Sequence, residues 1–317
     1  DLDDLKEKLE TRKYRALVVT SPNYFGKVLP LKEIFKMCKD CGTILIVDEA
    51  HGAHLNFLPE LSKLSVKDCC DIAIESAHKT LPAITGSAFM HVYTDRVSIE
   101  LLEKTMRLLQ STSPSYLMLI SMEKSLDFME KDGGKRLDKN IKRLKTLKEN
   151  LKKEGFEFLE GDGFDPTRLV VSKENISGYE IERAIKDYGI RAEMATPFCA
   201  VFIITASDDE VSIGKLEQVL KNSNYKNDYP RSIDFSYREK IVNKPCEIFR
   251  KESKWVKLED TEGMVSTSFV IPYPPGSPIL VPGEEVTDEI IKILKEYLKL
   301  NINVVGLKNG GLKVGSK

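Results

Sequence analysis

"ILIVDEAHG", Ile44 to Gly52, is four apolar residues followed by two carboxylates, an alanine, a histidine and a glycine. A short continuous apolar run reads as a strand covered on both faces, and the carboxylates mark where it surfaces. Upstream, "ALVVTSP" (Ala16 to Pro22) is a second such run. Between them, "PLKEIFKMCKDCG" (Pro30 to Gly42) predicts a helix with Pro at its first turn and Gly after its last. Strand, helix and strand of this kind form a βαβ unit, so the sheet is expected to be parallel. "CDIAIESAHKT" and "SAFMHVYTD" supply two further short strands.

Helical patterns follow over Val97 to Gln110 and Ser115 to Lys131. In "GGKRLDKNIKRLKTLKENLKKEG", Leu137, Ile141, Leu144, Leu147 and Leu151 recur at spacings of four, three, three and four. They form one apolar stripe on an otherwise basic helix. From Phe156 the pattern shortens to "FEFLEG", "TRLVVSK", "SGYEIERAIKDYG", "AVFIITAS" and "VSIGKLEQVLKN", which suggests a smaller α/β domain. "KNSNYKNDYP" reads as a linker, and "SFVIPYPPGSPILVPGE" as an ordered Pro/Gly-rich loop. The expected divisions are 1–132, a sheet domain; 133–155, a connecting helix; 156–222, a small α/β subdomain; and 223–317, a C-terminal domain.

The 317 residues are 41% hydrophobic and 31% charged, with a formal net charge of -1. That balance gives no overall attraction to nucleic acid or anionic membranes. No apolar run is long enough to span a bilayer, and "DLDDLKEKLE" is unlike a secretory signal, so a cytoplasmic protein is expected. Cys38 and Cys41 form one C-x-x-C, but no second cluster completes a metal site, and none is expected.

Asp48 ends a strand, and so does the "ESAHKT" segment that carries Lys79, so both should emerge at the carboxyl edge of one sheet. Asp-Glu-Ala-His is also the motif by which a DEAH-box helicase holds magnesium. That chemistry needs a G-x-x-x-x-G-K-[ST] phosphate loop and arginines in a second lobe, and the sequence shows neither. A lysine and a carboxylate in one crevice suit pyridoxal phosphate instead. The lysine forms a Schiff base, and the carboxylate keeps the pyridine nitrogen protonated. Taken singly, a strand-end Asp is as readily a helix cap and a strand-end Lys a solvated surface residue.

"VDEAHGAHL", "ESAHKTLPAITGSAFMHV", "STSPSYLM" and "IPYPPGSPILVPGE", in this order, closely resemble the bacterial Orn/Lys/Arg decarboxylases. The resemblance implies an α/β fold-type-I pyridoxal-phosphate architecture and decarboxylation of a basic amino acid, arginine first, then lysine or ornithine. Lys79 would hold the cofactor, Asp48 pair with its ring nitrogen and Ala50 lie against the ring. Ser76 and His78 would meet the phosphate or the Schiff-base region, and His51 the ring's phenolic oxygen. His51, His78 and Lys79 are the candidate proton donors. Ser111 and Thr112, in "STSPS", would reach the partner's cofactor phosphate in a homodimer or higher oligomer with shared sites, although a Ser/Thr helix cap explains them equally well.

Glu284 and Glu285 are candidates for the substrate's distal cation, with simple solvation as the alternative. Relatives also carry a Gly/Ser/Thr-rich phosphate loop and a ring-stacking residue on a segment that would precede Asp1, so the cofactor domain is expected to be incomplete in this sequence. An aminotransferase-like reaction or a catalytically silent assembly role would use the same frame.

Overall fold

A computed structural model of the chain describes residues 1–111, 113–228, 239–248, 251–273, 276–300 and 302–315. By its internal contacts the chain forms two units. The first holds residues 1–174, 180–193 and 199–226, and the second 175–179, 194–198 and 227–317.

The first unit is built on four strands in the order β1 (Ala16–Thr20), β2 (Ile44–Asp48), β3 (Ile72–Ser76) and β4 (Ala88–Val92). The first three run parallel, with Val18 opposite Ile46 and Ile46 opposite Ile72. β4 returns antiparallel to β3, a departure from the parallel pattern at the sheet's edge. Helix α1 (Leu2–Thr11) starts on an Asp1 cap, whose carboxylate accepts from the Asp3 amide at 2.8 Å. Helix α2 (Leu31–Asp40) buries Leu31, Ile34, Phe35 and Cys38, which share one face at spacings of three, one and three. These residues pack with Leu9 of α1 and with Leu45, Val47 and Ala73 of the sheet.

Side chains alternate across a strand, so the even-numbered residues of β1 and β2 share the opposite face. The continuous apolar runs predict that this face too is covered. It is instead open: Val18 is 65% exposed, and Ile74 and Met90 are each 37% exposed. Asp48 belongs to the row Thr20, Asp48, Ile74 and Met90 on that open face.

Helices Ile99–Leu109 and Tyr116–Phe128 follow, each capped by a serine, Ser98 and Ser115. The first buries no residue at all, and Leu108 and Leu109 are among its most exposed side chains. One π-helical turn, Met129–Gly133, leads into helix Gly134–Lys152. There Leu137, Leu144, Leu147 and Leu151 are buried as the stripe predicts, and Ile141 is half-buried. Strands β5 (Phe156–Phe158) and β6 (Arg168–Lys173) pair antiparallel, and β6 pairs antiparallel with Ala200–Ile203. Helix Glu210–Asn222 begins in a capping box between Asp209 and Ser212.

The second unit has its own core, in which Leu258, Val270, Leu280, Val286, Leu294, Leu312 and Val314 are buried. Helix Asp288–Lys299 supplies four of the unit's buried residues. Leu280, from the Pro/Gly-rich stretch, pairs with Val270, so that stretch is ordered over its described residues.

Candidate active site

β2 and β3 end side by side, and both catalytic candidates emerge there. Asp48 is the last residue of β2, and its Oδ1 accepts from the Ala50 amide at 3.0 Å, which turns the chain off the strand. Among the described residues Oδ2 makes no hydrogen bond, so one carboxylate oxygen is available to a ligand. Ser76 ends β3 and begins the short helix Ala77–Thr80, which carries His78 and Lys79. The Ser76 side chain makes no cap bond and is half-buried.

Lys79 Nζ stands 3.4 Å from His51 Nε2, so the DEAHG turn and the ESAHKT turn meet at these two side chains. His51 is 3% exposed, whereas Lys79, His78, Asp48 and Ala50 are each half-buried and open to a ligand. Burial first, then the neighbouring Arg168 and Lys79 charges, push the His51 imidazole down to about 3. It is therefore neutral at physiological pH. His78 Nδ1 lies 3.0 Å from the Ser87 carbonyl oxygen, which can only accept. In its neutral form the His78 ring carries its proton on Nδ1 and offers a lone pair at Nε2.

The remaining candidates are placed as follows. Ser111 Oγ accepts from the Ser113 amide at 3.1 Å and lies exposed ahead of helix Tyr116–Phe128, whose cap is Ser115, so Ser111 does not cap that helix. Thr112 lies outside the described residues. Glu284 and Glu285 are in the second unit, and neither is the solvated surface residue that was the alternative reading. Glu284 Oε2 accepts from the Val281 amide at 2.8 Å, and burial raises its carboxyl above the usual range. Glu285 Oε1 pairs with Lys240 Nζ at 2.7 Å.

A half-buried lysine amine beside a neutral imidazole, with a half-open carboxylate at the adjacent strand end, fits pyridoxal phosphate. The amine can bond an aldehyde, and the carboxylate can hold a protonated pyridine nitrogen. Among the described residues no group of His, Cys, Asp or Glu is disposed to hold a metal ion.

Residues 3–168 match the model of the Orn/Lys/Arg decarboxylase major domain, and residues 237–307 match that of the family's C-terminal domain. The chain belongs to the Orn/Lys/Arg decarboxylase family. It is 26% identical to an arginine decarboxylase of Bacillus anthracis, over 96% of this chain and 66% of that relative. It therefore spans just under two thirds of the relative's length. The constitutive lysine decarboxylase of Escherichia coli shares the fold with a TM-score of 0.82 at 17% identity, over 98% of this chain and 60% of the other. SPT, solved with PLP, overlays 70% of this chain and 58% of its own with a TM-score of 0.54 at 20% identity. The fold-type-I expectation is met.

Beyond the motifs that mark the family, the structure places a buried polar cluster directly behind His51. Arg168, at the start of β6, is 1% exposed and contacts His51 at both Nδ1 and the carbonyl oxygen. Asp165 lies 3.9 Å from Arg168 Nε and 3.1 Å from His54 Nε2. Thr167 donates to Asp165 Oδ1 from its amide at 2.9 Å and from its hydroxyl at 2.7 Å. A sequence signal exists in "DPTR", an Asx-type turn ahead of an apolar strand, but that signal gives only the turn. Glu49, just after β2, and Glu75 of β3 form a second buried pair. Burial and the Glu75 charge push Glu49 up to about 9.

Proposed function

We propose that this chain carries the lysine and aspartate of a pyridoxal-phosphate-dependent decarboxylase acting on a basic L-amino acid, arginine first. The observation that carries the reading is the meeting of Lys79 with His51 beside Asp48, in a chain of the Orn/Lys/Arg decarboxylase family. The named relatives are arginine and lysine decarboxylases, which supports a basic substrate without separating the two.

Pyridoxal phosphate, when bound, supplies an aldehyde that condenses with amines and a pyridinium ring that accepts the electrons left by departing carbon dioxide. Lys79 Nζ would hold the cofactor between turnovers and reclaim it as the amine leaves. Asp48, through its free oxygen, would hold the proton on the ring nitrogen. Ala50, with no side chain beyond Cβ, would lie against the ring. Ser76 and His78 would face the phosphate or the reacting amine, and the His78 Nε2 lone pair can take a proton there. Lys79, or His51 or His78, would return a proton to the substrate's α-carbon.

A substrate cation buried without a counter-charge is costly, so a carboxylate must meet its distal end. By the family resemblance Glu284 and Glu285 are the candidates for that carboxylate; burial raises the Glu284 carboxyl, and Glu285 pairs with Lys240.

The exposed apolar side chains Leu108, Leu109, Tyr116 and Leu117 support assembly as a homodimer or higher oligomer, and by the family resemblance Ser111 and Thr112 would reach the partner's cofactor phosphate. No helix of the described residues is long and apolar enough to cross a membrane; a cytoplasmic location is part of the proposal by family resemblance. The test is release of carbon dioxide from arginine, lysine and ornithine by the protein supplied with pyridoxal phosphate. Equal and negligible release from all three would refute the substrate class, and keto acid in place of amine would refute decarboxylation.

A further inference from the structure

Arg168 has no place in the chemistry above, yet it is the largest fully buried side chain in the described protein and it touches the residue that touches Lys79. Its Nη2 lies 3.1 Å from His51 Nδ1 and 3.0 Å from the His51 carbonyl oxygen. Nη2 carries two hydrogens, and a guanidinium donates only. Both hydrogens are therefore spent on His51, one on the carbonyl and one on Nδ1. Nδ1 must then be an acceptor, and the single ring proton of neutral His51 is on Nε2, the nitrogen 3.4 Å from Lys79 Nζ. The alternative tautomer would set an Nδ1–H against a guanidinium N–H, donor against donor.

We propose that Arg168 is a positioning residue, which fixes His51 as the Nε2–H tautomer and so presents an N–H to the nitrogen of Lys79. That N–H can bond Nζ only in a form that has a lone pair, whereas an ammonium would set donor against donor, so the contact forms with the nitrogen in the state that bonds an aldehyde carbon. The inference rests on the reading of Lys79 as the cofactor-holding amine.

The surroundings hold Arg168 in this pose. Asp165 faces its Nε, and Asp165 is itself fixed by Thr167 and by His54. The Arg168 stem lies against Gly26, whose φ is +86°. A Cβ there would stand 2.6 Å from Arg168 Cγ, so no larger residue fits without displacing the arginine. The charged and titratable groups facing His51 are Arg168, Lys79, His54 and Asp165, and the Tyr24 ring tilts against it at 4.6 Å. Three of these four charged or titratable neighbours can carry positive charge, so the environment opposes a second proton on the ring.

The test is nitrogen-15 NMR of the histidine rings in the 317-residue chain without cofactor. The four histidines are assigned by comparison with His51→Gln. His51 is expected to show a protonated Nε2 and a bare Nδ1 throughout pH 5 to 8. In Arg168→Met the ring is expected to mix tautomers and to take up a second proton at a higher pH than in the wild type. If Arg168→Met does not fold, Arg168→Lys, which keeps a donor-only side chain, replaces it. Nε2–H in both the wild type and that variant supports the proposal, and Nδ1–H in either overturns it. A folded Arg168→Met with the wild-type tautomer also overturns it. The measurement needs neither cofactor nor substrate. A chain that fails to release carbon dioxide would sink the decarboxylase reading and leave the tautomer result standing.

Discussion

Replacing Asp165 with Asn tests the cluster behind the site most sharply, because it changes one charge and almost no volume. The Asp165 side chain is fully buried, and its oxygens face Thr167, His54 and the guanidinium of Arg168. Asn keeps an acceptor for Thr167 but removes the negative charge opposite a buried cation. Breaking one partner of a buried ion pair costs about 3–5 kcal/mol. The 3.9 Å separation from Arg168 places the expected loss at the lower end, about 3 kcal/mol. At roughly 2–4 °C per kcal/mol for a unit of this size, the melting transition of the first unit should fall by about 10 °C.

Acidity supplies an independent check. Burial alone would raise the Asp165 carboxyl, but His54, Arg168 and the Thr167 bonds outweigh it and hold the group well below the usual carboxylate range. A carboxyl depressed in the folded state adds stability that is present above its unfolded value, about 3.9, and is lost as pH falls below it. Denaturant melts from about pH 6 down to 3 should therefore show an acid-side loss in the wild type that is reduced in Asp165→Asn. The double variant Asp165→Asn, Arg168→Met should recover much of the loss, since neither charge is then left unpaired. A single variant within about 1 kcal/mol of the wild type at neutral pH would refute the claim that Asp165 anchors Arg168.

Glu49 carries the opposite sign. Its buried carboxyl is raised from 4.5 to about 9, so its contribution to stability is present below pH 4.5 and drains away as pH rises toward 9. Glu49→Gln should flatten the loss of stability between about pH 4.5 and 9 in denaturant melts, and an unchanged slope would count against the buried protonated acid. Leu144→Ala, in the buried stripe of helix Gly134–Lys152, should cost about 2–5 kcal/mol by chemical denaturation, and a loss under 1 kcal/mol would show that the stripe is not packed. Lys79→Ala should abolish the mass increment that borohydride leaves after incubation with pyridoxal phosphate. Persistence of a stoichiometric increment in that variant would move the cofactor-holding role to another lysine.

The βαβ core was legible because its strands are continuous apolar runs and its helix closes on Gly42, so period and punctuation agreed. The antiparallel return of β4 was not. Direction is set by the turn that joins it to β3, and an apolar run reads the same either way. The open face carrying Val18, Ile74 and Met90 also escaped, because continuous apolarity signals that a strand can be covered on both sides, not that it is.

Asp48 and Lys79 were legible as a pair because both stand at strand ends, where a parallel sheet gathers ligand groups. Arg168 was not. It lies 117 residues from His51, and an arginine opening a strand carries no local mark that its head is buried. The burial of Glu284 and Glu285 was hidden for the same reason, since their contacts with Val281 and Lys240 come from folding the loop.

The most direct test of the decarboxylase reading is the stoichiometry of products from carboxyl-labelled arginine, with the protein supplied with pyridoxal phosphate. One carbon dioxide and one agmatine per arginine consumed, both lost in Lys79→Ala and strongly reduced in Asp48→Ala, is the predicted result. Carbon dioxide release that survives Lys79→Ala, or consumption of arginine to a keto acid with the carboxyl retained, would contradict it.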